Sequence, residues 1–257
     1  MWKLLINKAK LEWRVYLSVA DAFPSSNHAK EVVITPIVQQ IFQEFKRKGH
    51  RLESDFFPHY ECELYTLIYN DASTFRSEIK KICVSLVPSL YDFMLPRKLK
   101  ERDSVKWLKT RADELIDGAK FLHGLPNSKG IERNFAHAAL YRLCAEVYDG
   151  KSQKQLGDTS EFKDAVPPGA VALISAGCVL RAISKHGNIQ DLGKLCESVQ
   201  AQEYERFHDM IGKVFEDRKG GRIFEDQLEK WARKARCGLE RVLKQSGDDN
   251  EYALAPM

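Results

Sequence analysis

Val166-Pro167-Pro168-Gly169-Ala170-Val171-Ala172-Leu173-Ile174-Ser175-Ala176-Gly177-Cys178-Val179-Leu180 carries no charge, in a chain of which 30 % is Asp, Glu, Lys or Arg. A soluble helix without a polar face is withdrawn from water on every side. Proline suits its first turn, where backbone N–H groups lack intrahelical partners. The small residues along it let neighbouring helices approach closely. The stretch therefore predicts a central core helix over about 168–186, with the rest of the fold wrapped around it. At 15 uncharged residues, 166–180 is shorter than the ~20 apolar residues a membrane crossing needs.

The pattern outside this stretch is helical as well. Apolar residues recur three and four apart, and alternating β-branched runs between turn clusters are scarce. A helix over Trp2 to Ala20 sets Leu4, Leu5, Lys8, Leu11, Val15 and Val19 near one stripe and reads as a docking arm. Thr35-Pro36 opens a helix that Gly49 stops. The segment Arg51 to Asn70 is irregular, with a short helix through Cys62 and Ile68. A longer helix starts at Ser73 or Thr74 and is kinked or interrupted at Pro88. Helices follow over Ser104–Gly118 and Ile131–Tyr148, and Gly150–Asp164 reads as a polar, mobile loop. Beyond the central helix, Leu192 to Val199 and Tyr204 to Val214 continue the pattern. Lys219-Gly220-Gly221 breaks it, and a long helix runs from Arg222 to about Lys244. The expectation is an all-α fold of about nine helices: an amino-terminal arm (1–27), one helical domain (28–246) and a flexible tail (247–257).

Forty basic and 36 acidic residues give a net charge of +4, too balanced for a dedicated nucleic-acid coat. The six cysteines are dispersed without a C-x-x-C pair, as reduced buried thiols of an intracellular protein are. The opening Met1-Trp2-Lys3-Leu4-Leu5-Ile6-Asn7-Lys8 is too short an apolar run for a secretory signal. A soluble protein of the cytoplasm or nucleus is expected, as monomer or homodimer, with no membrane partner.

Phe75-Arg76-Ser77-Glu78-Ile79-Lys80-Lys81 leads into an apolar helix and Tyr91. Asn134-Phe135-Ala136-His137-Ala138-Ala139-Leu140 follows, then Val166 to Leu173, then Tyr204-Glu205-Arg206-Phe207-His208. Together these resemble a helical domain family of mushroom-forming fungi that has no assigned activity. The resemblance spans roughly Ile34 to Ala235 and leaves Trp2 to Ala20 outside. It implies a fold and a eukaryotic intracellular setting, and no mechanism.

Candidate sites are surfaces more than motifs. Arg76 and Lys80 lie one turn apart and could converge on one anion, or coat a solvated face. Basic residues cluster at Arg97, Lys98, Lys100 and Arg102 near Trp107, and at Arg222, Lys230, Arg233, Lys234 and Arg236 around Trp231. Cations beside stacking surfaces suit phosphates and unpaired bases, although both tryptophans also fit the apolar stripes of their helices. His137 reads as a hydrogen-bonded core imidazole. His208, beside Tyr204, is the better group for proton chemistry. Asp113, Glu114 and Asp117 have the spacing of a helical Mg²⁺ cluster, but no second cluster accompanies them. His59 and Cys62 lack a second ligand pair for zinc. No phosphate-loop, nucleophile-elbow or zincin motif occurs, and neither metal nor cofactor is expected. The leading expectation is a non-enzymatic helical interaction domain whose basic helices engage an acidic protein or nucleic acid. The alternative is an enzyme or small-molecule binder using an interhelical pocket beside the central helix, with His208, Tyr204, Arg76 and Asp113 as its polar groups.

Overall fold

The computed structural model describes residues 1–50, 59–96, 99–126, 132–150, 154–176, 179–188 and 197–245. Among them no strand occurs, and nine helices have seven residues or more: α1 Trp2–Val19, α2 Thr35–Arg47, α3 Glu61–Leu90, α4 Glu101–Ile116, α5 Ala138–Cys144, α6 Pro168–Ala176, α7 Leu180–His186, α8 Glu197–Glu216 and α9 Arg218–Gln245. They form a single all-α domain. The sequence segments expected at 51–58, 97–98, 127–131, 189–196 and 246–257 lie outside the described residues.

The apolar stretch is central: helical residues are described over α6 and α7 on either side of residues 177–178, which lie outside the described residues. In α6 every residue from Gly169 to Ser175 is buried, and α6 packs on α8, α5 and α1, whereas α7 packs on α4. By length and mean hydropathy (1.2) residues 168–186 would qualify as a membrane-crossing helix, against the expectation from the uncharged run. Yet 73 % of that window is buried inside the protein, as a core helix requires. Gly169 sets the approach of α6 to α1. A Cβ there would stand 2.8 Å from the carbonyl oxygens of both Ser18 and Val19.

The amino-terminal segment is core, not arm. Leu5, Ala9, Trp13 and Leu17, four apart, are fully buried, while Leu4 and Val19 of the expected stripe are exposed. The inward face is rotated from the expected stripe, from which Leu5 and Val15 are buried, and Arg14 has an internal partner. Its Nε donates to Asp71 of α3 at 2.6 Å, its Nη2 to the second carboxylate oxygen at 3.2 Å, and its Nη1 to Glu78 at 3.0 Å. The guanidinium lies 5.3 Å from the Phe75 ring centroid, and Lys10 Nζ adds a 3.3 Å contact to Asp71. Asp71 is only 5 % exposed, so a polar cluster in the sequence becomes the interior fastening of α1 on α3.

Asp71 also explains why α3 does not start at Ser73 or Thr74. The Asn70-to-Thr74 run reads as a helix cap, but Asp71 faces Arg14 and the helix continues through, with Phe75, Ile79, Cys83 and Val87 inward. Pro88 falls in its last turn, so the lost donor ends the helix instead of kinking it. Thr35-Pro36 likewise is not a start. Ser25 caps the chain at His28, a π-helical turn spans Ala29–Ile34, and α2 follows without a gap. The stretch expected as a mobile loop contains two helical turns, Lys154–Gly157 and Ser160–Lys163, pinned by buried Leu156 and Phe162. Asp217 separates α8 from α9, and Gly220 and Gly221, expected as a break, lie inside the first turn of α9.

Candidate functional site

The helix expected over Ile131–Tyr148 begins only at α5, because His137 caps it: His137 Nδ1 accepts from the Ala139 N–H at 3.1 Å. Its ring stacks on Tyr91, 4.7 Å between centroids, and burial lowers its pKa. The residues before it form a turn. Phe135 is buried with φ +53°, a conformation that costs a bulky residue backbone energy. Gln227 of α9 holds that turn, its Nε2 donating to the Phe135 carbonyl at 2.7 Å.

Between this turn, α8 and α9 runs a half-open groove of about 470 Å³. Phe135, Met210, Val214, Ile223 and Phe224 give it an apolar floor. Its rim carries three cations, Arg133, Lys213 and Lys230, the last where a further depression of about 220 Å³ continues the groove to Trp231. One turn on, Lys234 Nζ sits 4.6 Å from the Tyr141 ring centroid, and Tyr141 lies 5.9 Å from Trp231. The α9 residues involved, Gly220, Ile223, Gln227, Lys230, Trp231 and Lys234, recur at three and four and so share one helix face.

The acids near the rim are largely engaged. Asp217 accepts from the Lys219 and Gly220 N–H groups, capping α9 where the helix N-terminus favours negative charge. Glu132 accepts from His123 Nδ1 at 2.9 Å. Among the described residues no carboxylate forms an ion pair with Arg133, Lys213 or Lys230. Asp226 lines the further depression beside Lys230, so three carboxylates and three cations surround the groove and its continuation.

Of the residues singled out from the sequence, only Lys230 lines this groove and Lys234 adjoins it. Arg222 and Arg233 are exposed on other faces of α9. Arg236 is half-buried and opposes the burial that pushes Asp149 up to about 6. Arg76 is not presented to a partner: its Nη1 donates to the Ala22 carbonyl at 3.0 Å and its guanidinium covers Phe23 at 4.7 Å. Lys80 is half-buried on the same helix, and Lys100 is exposed before α4. Arg97 and Lys98 lie outside the described residues, as does the side chain of Arg102. Arg133, Lys213 and the Phe135 turn escaped the sequence reading, because three distant segments build the groove; the Asn134-Phe135 dipeptide before a capping His137 was the available signal.

Of the four groups proposed for chemistry, Arg76, Tyr204 and His208 lie together around Phe23, while Asp113 is engaged elsewhere with Ser184. Tyr204 is buried beside Phe23, and burial pushes its hydroxyl up to about 12. His208 is exposed, its ring 5.8 Å from that of Tyr204. Asp113 is exposed on α4 and accepts from Ser184 Oγ of α7, joining those two helices. The cavity beside the central helices, between Ser175, Leu180, Glu203 and Phe207, holds about 20 Å³, room for one water. None of His208, Tyr204, Arg76 or Asp113 lines it. Among the described residues no group of three His, Cys, Asp or Glu could hold a metal ion.

Fold and groove together define, among the described residues, an all-helical protein with a half-open, apolar-floored groove between the Phe135 turn, α8 and α9. The chain belongs to the family described as Domain of unknown function (DUF6532), whose model matches residues 8–214. The match takes in more than half of α1, consistent with that helix being core, and stops before α9. No curated protein and no solved structure matches the chain.

Proposed function

We propose that this chain is a non-enzymatic interaction module that seats an acidic protein segment with apolar side chains in the groove between α8, α9 and the Phe135 turn. One observation carries the reading: among the described residues Arg133, Lys213 and Lys230 form no ion pair, and they stand around an apolar floor. A segment that inserted aromatic or aliphatic side chains and placed carboxylates at the rim would satisfy both. In keeping with the sequence resemblance, the setting proposed is the cytoplasm or nucleus of a mushroom-forming fungus.

Nucleic acid is the second reading, supported by Lys230 and Lys234 flanking Trp231 and Tyr141. It is less favoured because an apolar floor offers nothing to a phosphate backbone, and phosphate contacts dominate such affinity. Fluorescence anisotropy separates the two. A labelled twelve-residue peptide alternating Glu with Leu and Phe, and a labelled 20-nucleotide single strand, are titrated with the protein from 50 to 300 mM salt. The proposal expects peptide binding that survives at high salt and weakens about tenfold in R133E/K230E. Strand binding that collapses with salt, without peptide binding, would favour nucleic acid; binding of neither would end both readings.

A further inference from the structure

The most exposed large apolar side chain among the described residues stands beside the groove. Leu125 is 93 % exposed, yet the backbone before it is held in place. The Gly124 N–H donates to the Arg133 carbonyl at 2.9 Å, and a Cβ on Gly124 would stand 2.8 Å from the Ala136 methyl. His123, one residue earlier, is bonded to Glu132. Glu132 and Arg133 themselves line the groove, so Leu125 is a fixed apolar knob at the edge of an apolar-floored hole. We propose that the groove receives the Leu125 corner of a second copy of this chain, each copy seating the other's leucine about a two-fold axis. The inference rests on the groove being a site for acidic, apolar segments and names that segment: Leu125 with the Glu132 carboxylate, whose side chain is 51 % exposed, at its side.

A knob and a hole that adjoin on one face exchange places under a two-fold rotation. Both are then satisfied at once and the assembly closes at two copies; on opposite faces they would build an open chain. The charges suit the same operation. Each bank of the groove carries one acid and one base: Glu132 and Arg133 on the turn, Lys213 and Asp217 where α8 ends, Asp226 and Lys230 on α9. A rim of one sign would repel its own copy, whereas mixed banks let base meet acid across the axis. Ile223, 37 % exposed, adds apolar surface to the lining that the incoming leucine would cover. Because the backbone around Gly124 is already fixed, little ordering opposes the docking of Leu125.

Sedimentation velocity of the full chain over about 1–200 μM covers micromolar association and reads the assembly directly. A dimer is expected. Leu125→Glu on the knob and Ile223→Glu on the groove side, both at exposed positions and so expected to keep the helical circular dichroism, should each weaken it about tenfold or more. The Glu/Leu/Phe peptide should dissociate the wild-type dimer, and should bind Leu125→Glu more tightly than wild type at high protein concentration, because the competing leucine is gone. A wild-type chain that stays monomeric while the peptide binds would overturn this inference and leave the groove reading standing. A dimer that neither substitution weakens uses another face and overturns it as well. Assemblies that grow beyond two copies with concentration would put knob and hole on opposite faces and overturn the two-fold arrangement. If the chain is monomeric and no peptide binds, both readings fall.

Discussion

Replacing Asp71 with alanine tests whether the charged seam between α1 and α3 is structural. The carboxylate is 5 % exposed and takes three donors: two from Arg14 and one from Lys10. Its removal leaves the Arg14 guanidinium, 16 % exposed, with Glu78 as the carboxylate it still bonds, a residue about a third exposed and so a weaker counter-charge. Breaking one side of a buried pair costs about 3–5 kcal/mol because the remaining charge stays desolvated. The retained Glu78 contact places Asp71→Ala at the lower end, ~3 kcal/mol. With an unfolding entropy of about 2.1 cal/mol/K per residue, that is a fall of ~6 °C in Tm. Urea unfolding followed by helical circular dichroism measures it, alongside Arg14→Met, Asp71→Leu and their combination. Because hydrophobic replacement of a whole buried pair is commonly near neutral, the double variant is expected to recover at least half of the loss. A cost below about 1 kcal/mol for Asp71→Ala, or a double variant no better than the sum of the singles, would refute the reasoning.

Gly169→Ala should cost about 2 kcal/mol or more, since its methyl meets two backbone carbonyls of α1 that cannot yield independently; thermal melts read it, and an unchanged Tm would contradict the close approach. His137→Ala should cost on the order of 2 kcal/mol at pH 8, from the lost cap and the lost stack on Tyr91. Because burial lowers the folded pKa of His137, its contribution is present above the ordinary value near 6.5 and is lost as pH falls, so the gap between wild type and variant should narrow below pH 6.5. Asp149 has the opposite sign. Its carboxyl is raised from 3.8 to about 6 by burial, so the folded state holds the proton more tightly and the cost appears as pH rises through 6. Asp149→Asn should therefore stabilise by at most about 3 kcal/mol at pH 8 and by nothing below pH 4, as Tm measured across pH would report.

The helical class and the buried centre were legible because burial leaves a compositional trace. An uncharged run can only be internal, and Ile79, Phe224 and Leu228 repeat at helical spacing. What was illegible depended on pairing. The inward face of α1 was misread because Arg14 looks like a surface residue until Asp71, 57 positions away, meets it. The same pairing hid the continuity of α3 behind a polar run that resembles a cap. Position on a helix face fixed Lys230 and Lys234 as outward, but not that Arg76 turns onto Ala22 and Phe23. The groove needed Phe135 in a left-handed backbone conformation and a bond from Gln227, 92 positions apart, and no local pattern announces either.

The family match ends at residue 214, so the groove straddles it: Phe135, Met210 and Val214 lie inside, and the Lys230 side lies beyond. Relatives that share the matched region would inherit one bank of the cleft, while the opposite bank can be rewritten without disturbing the interior. Variation there would sit on the exposed face of one long helix, whose buried Phe224, Leu228 and Ala232 keep it seated on the core.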